Sequence, residues 1–295
     1  MRRGLIALAL SVASLPARAQ NLDTVTIRTA RVADGVYMLT GAGGNIGLSV
    51  GQDAAFLVDD QYAPLTPKIV AAVAAISPKP IRFVLNTHWH FDHTGGNENI
   101  GREGALIVAH DNVRRRMSTG QLIELLRRQE PPSPPGALPV VTFTDAVTFH
   151  INGDDVAAIH VARAHTDGDA IVHFRKANVV HMGDVFVRGY PFVDLSSGGS
   201  IDGVISAVGR VLALTNDSTR FIPGHGTLSN RAGLEAYRTM LVTIRDRVQR
   251  LLGAGTSLKD AIAARPTAEF DATWSNAFIT PDRFVEAVYT SLSRR

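Results

Sequence analysis

Three histidines and an aspartate fall within six residues of the run Thr87-His88-Trp89-His90-Phe91-Asp92-His93-Thr94-Gly95-Gly96, and the stretch before it decides where they can go. Residues 81–86, Ile-Arg-Phe-Val-Leu-Asn, are short, β-branched and aromatic, which marks a buried strand. The cluster therefore leaves a strand tip, and Gly95-Gly96 lets the chain turn into a helix. Extended backbone throws alternate side chains to one side, so His88, His90 and Asp92 converge while Trp89 and Phe91 point back toward packing. Neutral imidazole nitrogens and a carboxylate are the ligands that a borderline cation such as zinc takes in an open site.

His88-x-His90-x-Asp92-His93 resembles the signature of the metallo-β-lactamase superfamily of binuclear zinc hydrolases. Three further segments resemble the family's later motifs, in its order. Residues 164–169 (Ala-His-Thr-Asp-Gly-Asp) supply His165, residues 181–184 (His-Met-Gly-Asp) end in Asp184, and residues 223–226 (Pro-Gly-His-Gly) supply His225. Each follows an apolar run, over 155–161, 179–182 and 220–223, and the resemblance spans 30 to 230. It implies two Zn2+ ions, one on His88, His90 and His165 and the other on Asp92, His93 and His225. Asp184 matches the carboxylate that bridges the pair in cysteine-lacking members. The implied mechanism is attack by a metal-bridging hydroxide that opens a cyclic amide or ester, with Asp92 orienting it and later delivering its proton. Asp59, ending the strand over 54–59, resembles the family's outer aspartate, which hydrogen-bonds a metal-site histidine or the neighbouring loop; a turn cap is the alternative. His110, His150, His160, His173 and His181 lie outside the motifs and read as strand residues.

For substrate, the family parallel points two ways. Some family β-lactamases place a lysine three residues after the third-motif ligand to grip a carboxylate; here that position is Val187. Arg188 or Tyr190 can substitute as substrate contacts, with a solvated loop arginine as the plain alternative. β-Lactams come first, because export would put the enzyme where such antibiotics act. A lactonase, thioesterase or other esterase of the same fold comes next, and Asp184 favours it. A non-catalytic zinc-binding protein is a more distant reading. A nuclease of this fold would need a basic track, which the chain does not offer.

Residues 1–19 read as a secretory signal peptide. Arg2-Arg3 form its basic start, 4–15 a short apolar core, and Ala17-Arg18-Ala19 the cleavage signal. The core is too short for a permanent membrane anchor. Adjacent arginines raise a twin-arginine route, but their surroundings favour the general one. The expectation is an exported, periplasmic protein acting on a small molecule, with residues 20–295 as one domain. The 30 basic residues lose Arg2, Arg3 and Arg18 with the leader, leaving 27 against 27 acidic. A neutral mature chain points to no nucleic-acid or anionic-membrane partner. Arg114-Arg115-Arg116 and Arg127-Arg128 read as solvated helix-face clusters. With no cysteine in the chain, disulfides and thiolate ligands are excluded, and stability must come from the core and bound metal.

Periodicity places strands over 35–40, 45–50, 54–59, 81–85, 105–110, 140–143, 147–151, 155–161, 170–174, 179–181 and 220–222. It places helices over 67–76, near Asn97, and over 111–118, 200–214, 231–252, 257–264 and 281–293, with Thr66 capping the first. Residues 121–130, with Leu122, Leu125 and Leu126 on one face, read as an amphipathic helix broken by the prolines from 131. The segment 121–136 is either a surface connection, the favoured reading, or a lid whose leucines meet substrate. Periodicity alone gives mixed α and β; the resemblance implies an α/β (α+β) four-layer αββα sandwich.

Overall fold

The computed structural model describes residues 21–275 and 278–294; the leader expected over 1–19 lies outside the described residues. The apolar runs pair into two sheets. The first holds β1 (Arg28–Ala33), β2 (Val36–Thr40), β3 (Ile46–Val50), β4 (Ala55–Val58), β5 (Ile81–Leu85), β6 (Leu106–His110) and, past a small hairpin of β7 (Gln121–Ile123) and β8 (Arg128–Glu130), β9 (Val141–Phe143). Its first four strands are antiparallel. From β4 to β9 the pairing turns parallel, which requires crossovers. These are α1 (Thr66–Ala74), the pair α2 (Phe91–Thr94) and α3 (Asn97–Arg102), and α4 (Asp111–Met117) with the hairpin.

The second sheet runs β10 (Ala146–Ile151), β11 (Asp154–His160), β12 (Ala170–Phe174), β13 (Val179–His181), β14 (Arg220–Ile222) and β15 (Ser229–Asn230), with β13 and β14 parallel across α5 (Ile201–Leu214). Then follow α6 (Arg231–Gly253), α7 (Leu258–Ala263), α8 (Asp271–Trp274) and α9 (Pro281–Ser293). Ser200 caps α5 through Gly203 N–H, and Asn230 caps α6 through Gly233 N–H.

Three apolar layers hold the sandwich. Phe56, Val58, Leu85, Val156, Val172 and Ile222 meet between the sheets. Leu48, Leu57, Ile69 and Ile100 pack α1 and α3 on the outer face of the first sheet. Val204, Val208, Leu234, Leu241, Ile244 and Val288 pack α5, α6 and α9 outside the second. The result is the four-layer αββα order. The parallel pairs decide where function can sit, because ligands collect beyond the carboxyl ends of such strands. Asp59 and Thr87 follow β4 and β5; Asp184 and His225 follow β13 and β14.

Several expectations need correction. Residues 121–130 are not a helix but the β7–β8 hairpin, in which Leu122 is exposed and Ile123 buried. Leu65 rather than Thr66 holds the cap position of α1, and Thr66 makes no capping bond. Arg116 is not simply solvated: it pairs with Asp167 through Nε at 2.7 Å and Nη2 at 2.8 Å, bracing α4 against the loop that carries His165. Arg114 donates to the Pro139 carbonyl. No helix among the described residues is long and apolar enough to cross a membrane.

Candidate metal centre

The side chains singled out in four separate motifs meet at one rim of the sandwich. His88, His90 and His165 bring three ring nitrogens within 4.8 Å of one another, and His88, His93 and Asp184, and Asp92, His93 and His225, each bring two ring nitrogens and a carboxylate oxygen equally close. Asp184 links the groups: its carboxylate lies 3.3 Å from His93 Nε2, 3.5 Å from His225 Nε2 and 3.8 Å from His165 Nε2. His225 Nε2 is also 3.2 Å from Asp92. This close assembly needs bare backbone. A side chain at Gly44 would overlap the His93 ring, and one at Gly224 would overlap the Asp184 carboxylate.

Outer partners fix which nitrogen of each ring faces inward. A carbonyl or carboxylate oxygen only accepts, so the ring nitrogen facing it carries the proton. His165 Nδ1–H donates to the Phe192 carbonyl at 2.7 Å, His90 Nε2–H to Asp194 at 3.0 Å, and His93 Nδ1–H to Asp59 at 2.8 Å. Thr87 Oγ1 donates to Asp59 at 2.8 Å and so accepts from His88 Nδ1 at 3.0 Å. On neutral rings the inward nitrogens of His88, His90 and His165 are thereby left as lone pairs. His165 Nε2 and His90 Nδ1 face each other at 2.9 Å, and buried His88 Nε2 and Asp184 Oδ1 have no hydrogen-bond partner. Two lone pairs at that distance repel unless a cation lies between them, and a buried acceptor left unmatched is costly. The donor set therefore fits a metal such as zinc.

Charge divides the cluster in two. Burial, then the neighbouring imidazoles, hold His88 well below the ordinary histidine value and His165 down to about 4. Both are neutral, as a zinc ligand must be. In the other half burial opposes charge, yet Asp184 and then Asp92 raise His93 well above its ordinary value, and the same carboxylates raise His225 to about 10. Burial likewise opposes ionisation of Asp92 and Asp184, but His93 and His225 pull Asp92 down to about 2 and hold Asp184 well below the carboxylate range. The metal-free protein thus stores protons on two imidazoles that metal would displace. Titrating zinc into it at pH 7.5 will release at least one proton per protein, read by calorimetry in buffers of different ionisation enthalpy. Binding heats that do not change with buffer would contradict this charge assignment.

The other sequence candidates separate cleanly. Asp59 is fully buried and serves both expected partners, His93 Nδ1 and the loop, where it takes Thr87 N–H at 2.7 Å. Arg188 borders the cleft above the cluster, but its stem crosses Gly226 and its Nη1 would lie 3.7 Å from a methyl placed on Gly233 at the start of α6. Tyr190 does not border the cleft. Its ring is buried and stacked on Phe284, and its hydroxyl donates to Asp271 at 2.9 Å, so it belongs to the core. His181 donates to the Asn45 carbonyl and accepts from Gly183 N–H, outside the cluster. His110 and His160 stack on each other at 3.7 Å, also outside it. Sequence reading missed Asp194, which orients His90 from 104 residues away. Asp194-Leu-Ser-Ser announces a local turn, and its carboxylate does take Ser196 and Ser197 N–H, but nothing local names the distant histidine.

A family model described as the metallo-beta-lactamase superfamily matches residues 39–225, more than half the chain. The chain belongs to the metallo-β-lactamase superfamily. Members of this superfamily are zinc-dependent hydrolases, so the chain is an enzyme of that broad class. A curated relative, a hydroxyacylglutathione hydrolase from Polaromonas sp. (strain JS666), is 26% identical over 213 residues, covering 67% of this chain and 71% of its own. Among solved structures, a metallo-beta-lactamase from Pontibacter korlensis aligns with a TM-score of 0.59 at 17% identity, covering 73% of this chain and 99% of its own. The FIM-1 metallo-beta-lactamase of Pseudomonas aeruginosa, in a mono-zinc form, gives 0.58 at 18% identity, covering 74% and 95%. These likenesses establish the superfamily fold on which the cluster is mounted.

Proposed function

We propose that this protein is a binuclear zinc hydrolase that cleaves an ester, thioester or lactone. The observation that carries the binuclear reading is Asp184, whose carboxylate lies within 3.8 Å of His165 on one side and 3.5 Å of His225 on the other. His88, His90 and His165 would hold one zinc, Asp92, His93 and His225 the other, and Asp184 both. Bound there, the ions would supply Lewis acidity toward a carbonyl oxygen and ionise water near neutral pH.

The remaining chemistry belongs to the chain. Asp92 is in its charged form, faces the cleft, and is positioned to accept a hydrogen bond from the attacking water and to return a proton to the leaving atom. The ring of Phe192, stacked 5.8 Å from His90, and that of Phe91 keep bulk water from the cluster. Replacing Asp92 with asparagine removes a negative charge from the metal centre and a proton acceptor from the cleft. We expect kcat to fall by about 10²- to 10⁴-fold, with zinc content measured alongside. Turnover within threefold of the parent would remove Asp92 from the mechanism.

Ring-opening of β-lactams is the second reading, supported by the names of the structural relatives. It ranks below the ester reading because Val187 stands where a carboxylate-gripping lysine would be, and the Arg188 head leans toward α6. A chromogenic cephalosporin run beside lactone and thioester panels, each with a chelator control, separates the two. Export to the periplasm remains part of this proposal and rests on the leader sequence over 1–19.

A further inference from the structure

We infer that the β7–β8 hairpin is the acyl-binding wall of the cleft, and that it selects substrates whose acyl group is an apolar chain or ring of several carbons. The inference rests on the hydrolase reading above and names its substrate class.

The cleft over the cluster encloses about 520 Å³. The hairpin presents Ile123 and Leu126 to it, facing Phe91, Phe192 and Val187. Outside the cluster, Arg188 is the one charged side chain bordering the cleft among the described residues, and its head lies toward Gly233. Beyond Arg188 and Tyr62, a charged or strongly polar acyl group would meet no polar side chain outside the cluster and would lose water for little return. An apolar one would gain about fourfold in binding for each methylene it buries.

The wall is held at both ends, so contact with it can discriminate. At one end Glu124 N–H donates to Ser196 Oγ at 3.2 Å, and Ser196 donates to Asp194, the residue that orients His90. At the other, the Arg128 guanidinium lies 3.7 Å over the Phe91 ring, which stacks on Tyr62. Arg127 between them sits at φ 49°, a left-handed conformation that a non-glycine residue holds only when its surroundings impose it. A wall already ordered loses little freedom when substrate arrives. In the reaction, the water oxygen joins the acyl carbon, the bond from that carbon to the leaving oxygen or sulfur breaks, one water proton ends on the leaving atom and the other is released to solvent. The acyl group departs as a carboxylate.

The test has two arms on the zinc-loaded mature protein. In the first, p-nitrophenyl acetate, butyrate, hexanoate and octanoate are compared. We expect kcat/KM to rise by about two- to fourfold per methylene until the cleft is filled. Leu126→Ala and Ile123→Ala, checked for folding by thermal melt, should each cut the octanoate-to-acetate ratio at least fivefold. The second arm needs no turnover: sodium octanoate should bind at least tenfold tighter than acetate by calorimetry, with the more negative heat-capacity change that apolar burial produces. A flat ester series, or octanoate no tighter than acetate, overturns the inference. Tight octanoate with no ester hydrolysed at any length leaves the acyl wall standing and sinks the hydrolase reading instead.

Discussion

If the cluster binds two zinc ions as proposed, Asp184→Asn is expected to retain one equivalent where the parent retains two, and to hydrolyse its substrate about a thousandfold more slowly, a loss of about 4 kcal/mol in transition-state stabilisation. Both halves of the cluster approach this carboxylate closely, at 3.8 Å from His165, 3.3 Å from His93 and 3.5 Å from His225. An amide of the same shape keeps the packing but removes the charge that lets two cations sit side by side. The half with His88, His90 and His165 does not depend on that charge and should keep its ion. The His93 and His225 half does depend on it, since Asp184 is the carboxylate that raises both imidazoles most.

The metal-free protein gives a second readout of the same substitution. A histidine raised in the folded state stabilises it fully below the unfolded value of about 6.5, and that contribution fades as pH climbs through the folded value. For His225 the window runs from about 6.5 to about 10. The stability difference between parent and Asp184→Asn should therefore be widest between about pH 4 and 6.5, above protonation of the unfolded carboxylate, and should shrink toward pH 10, followed by denaturant melts. Elemental analysis showing two zinc ions in the variant, with activity near the parent's, would remove Asp184 from the bridging position.

How much of this is legible in the sequence depends on the range of the interactions. Strands β2 to β6 and β10 to β14 declare themselves, because burial between two sheets demands apolar runs of a length that local pattern reveals. The ligand motifs were equally plain, since the pairs His88-x-His90 and Asp92-His93 are local and each motif follows a strand. Residues 121–130 failed for the opposite reason. Leu, Glu, Gln and Arg favour helix, and leucines at 122, 125 and 126 have helical spacing. What overrides them is tertiary: Ser196 takes the Glu124 N–H and Phe91 takes the Arg128 guanidinium, which splits the segment into two short strands around a left-handed Arg127. Tyr190 misled in a related way, being close in sequence to Asp184 yet turned into the core by Asp271 and Phe284. Sequence proximity to a ligand is a poor guide where the chain reverses within a few residues.

Asp59 is where fold and site are least separable, and its loss should cost the fold most. Asp59→Ala is expected to destabilise the metal-free protein by about 3–5 kcal/mol, the range for stripping one partner from a buried charged network. The carboxylate is fully buried and accepts three bonds: Thr87 N–H at 2.7 Å, Thr87 Oγ1–H at 2.8 Å and His93 Nδ1–H at 2.8 Å. Alanine leaves three donors in the interior with no acceptor and no route to water. It also frees Thr87 Oγ1, on which the inward orientation of His88 depends. Asp59 itself sits at φ 64° directly after β4, a backbone conformation that these bonds help to hold. The melting temperature should drop by roughly 10 °C, and zinc affinity by about 10- to 100-fold, as for other outer partners of metal-bound histidines. Asp59→Asn separates the two effects. Its carbonyl oxygen can still accept from Thr87 Oγ1–H and His93 Nδ1–H, which share Oδ2 here, so stability should recover in part, while its NH2 would face Thr87 N–H and the charge behind His93 is lost, so zinc affinity should stay low. A thermal melt of Asp59→Ala within 2 °C of the parent would mean that the Thr87 loop is held by something other than this carboxylate.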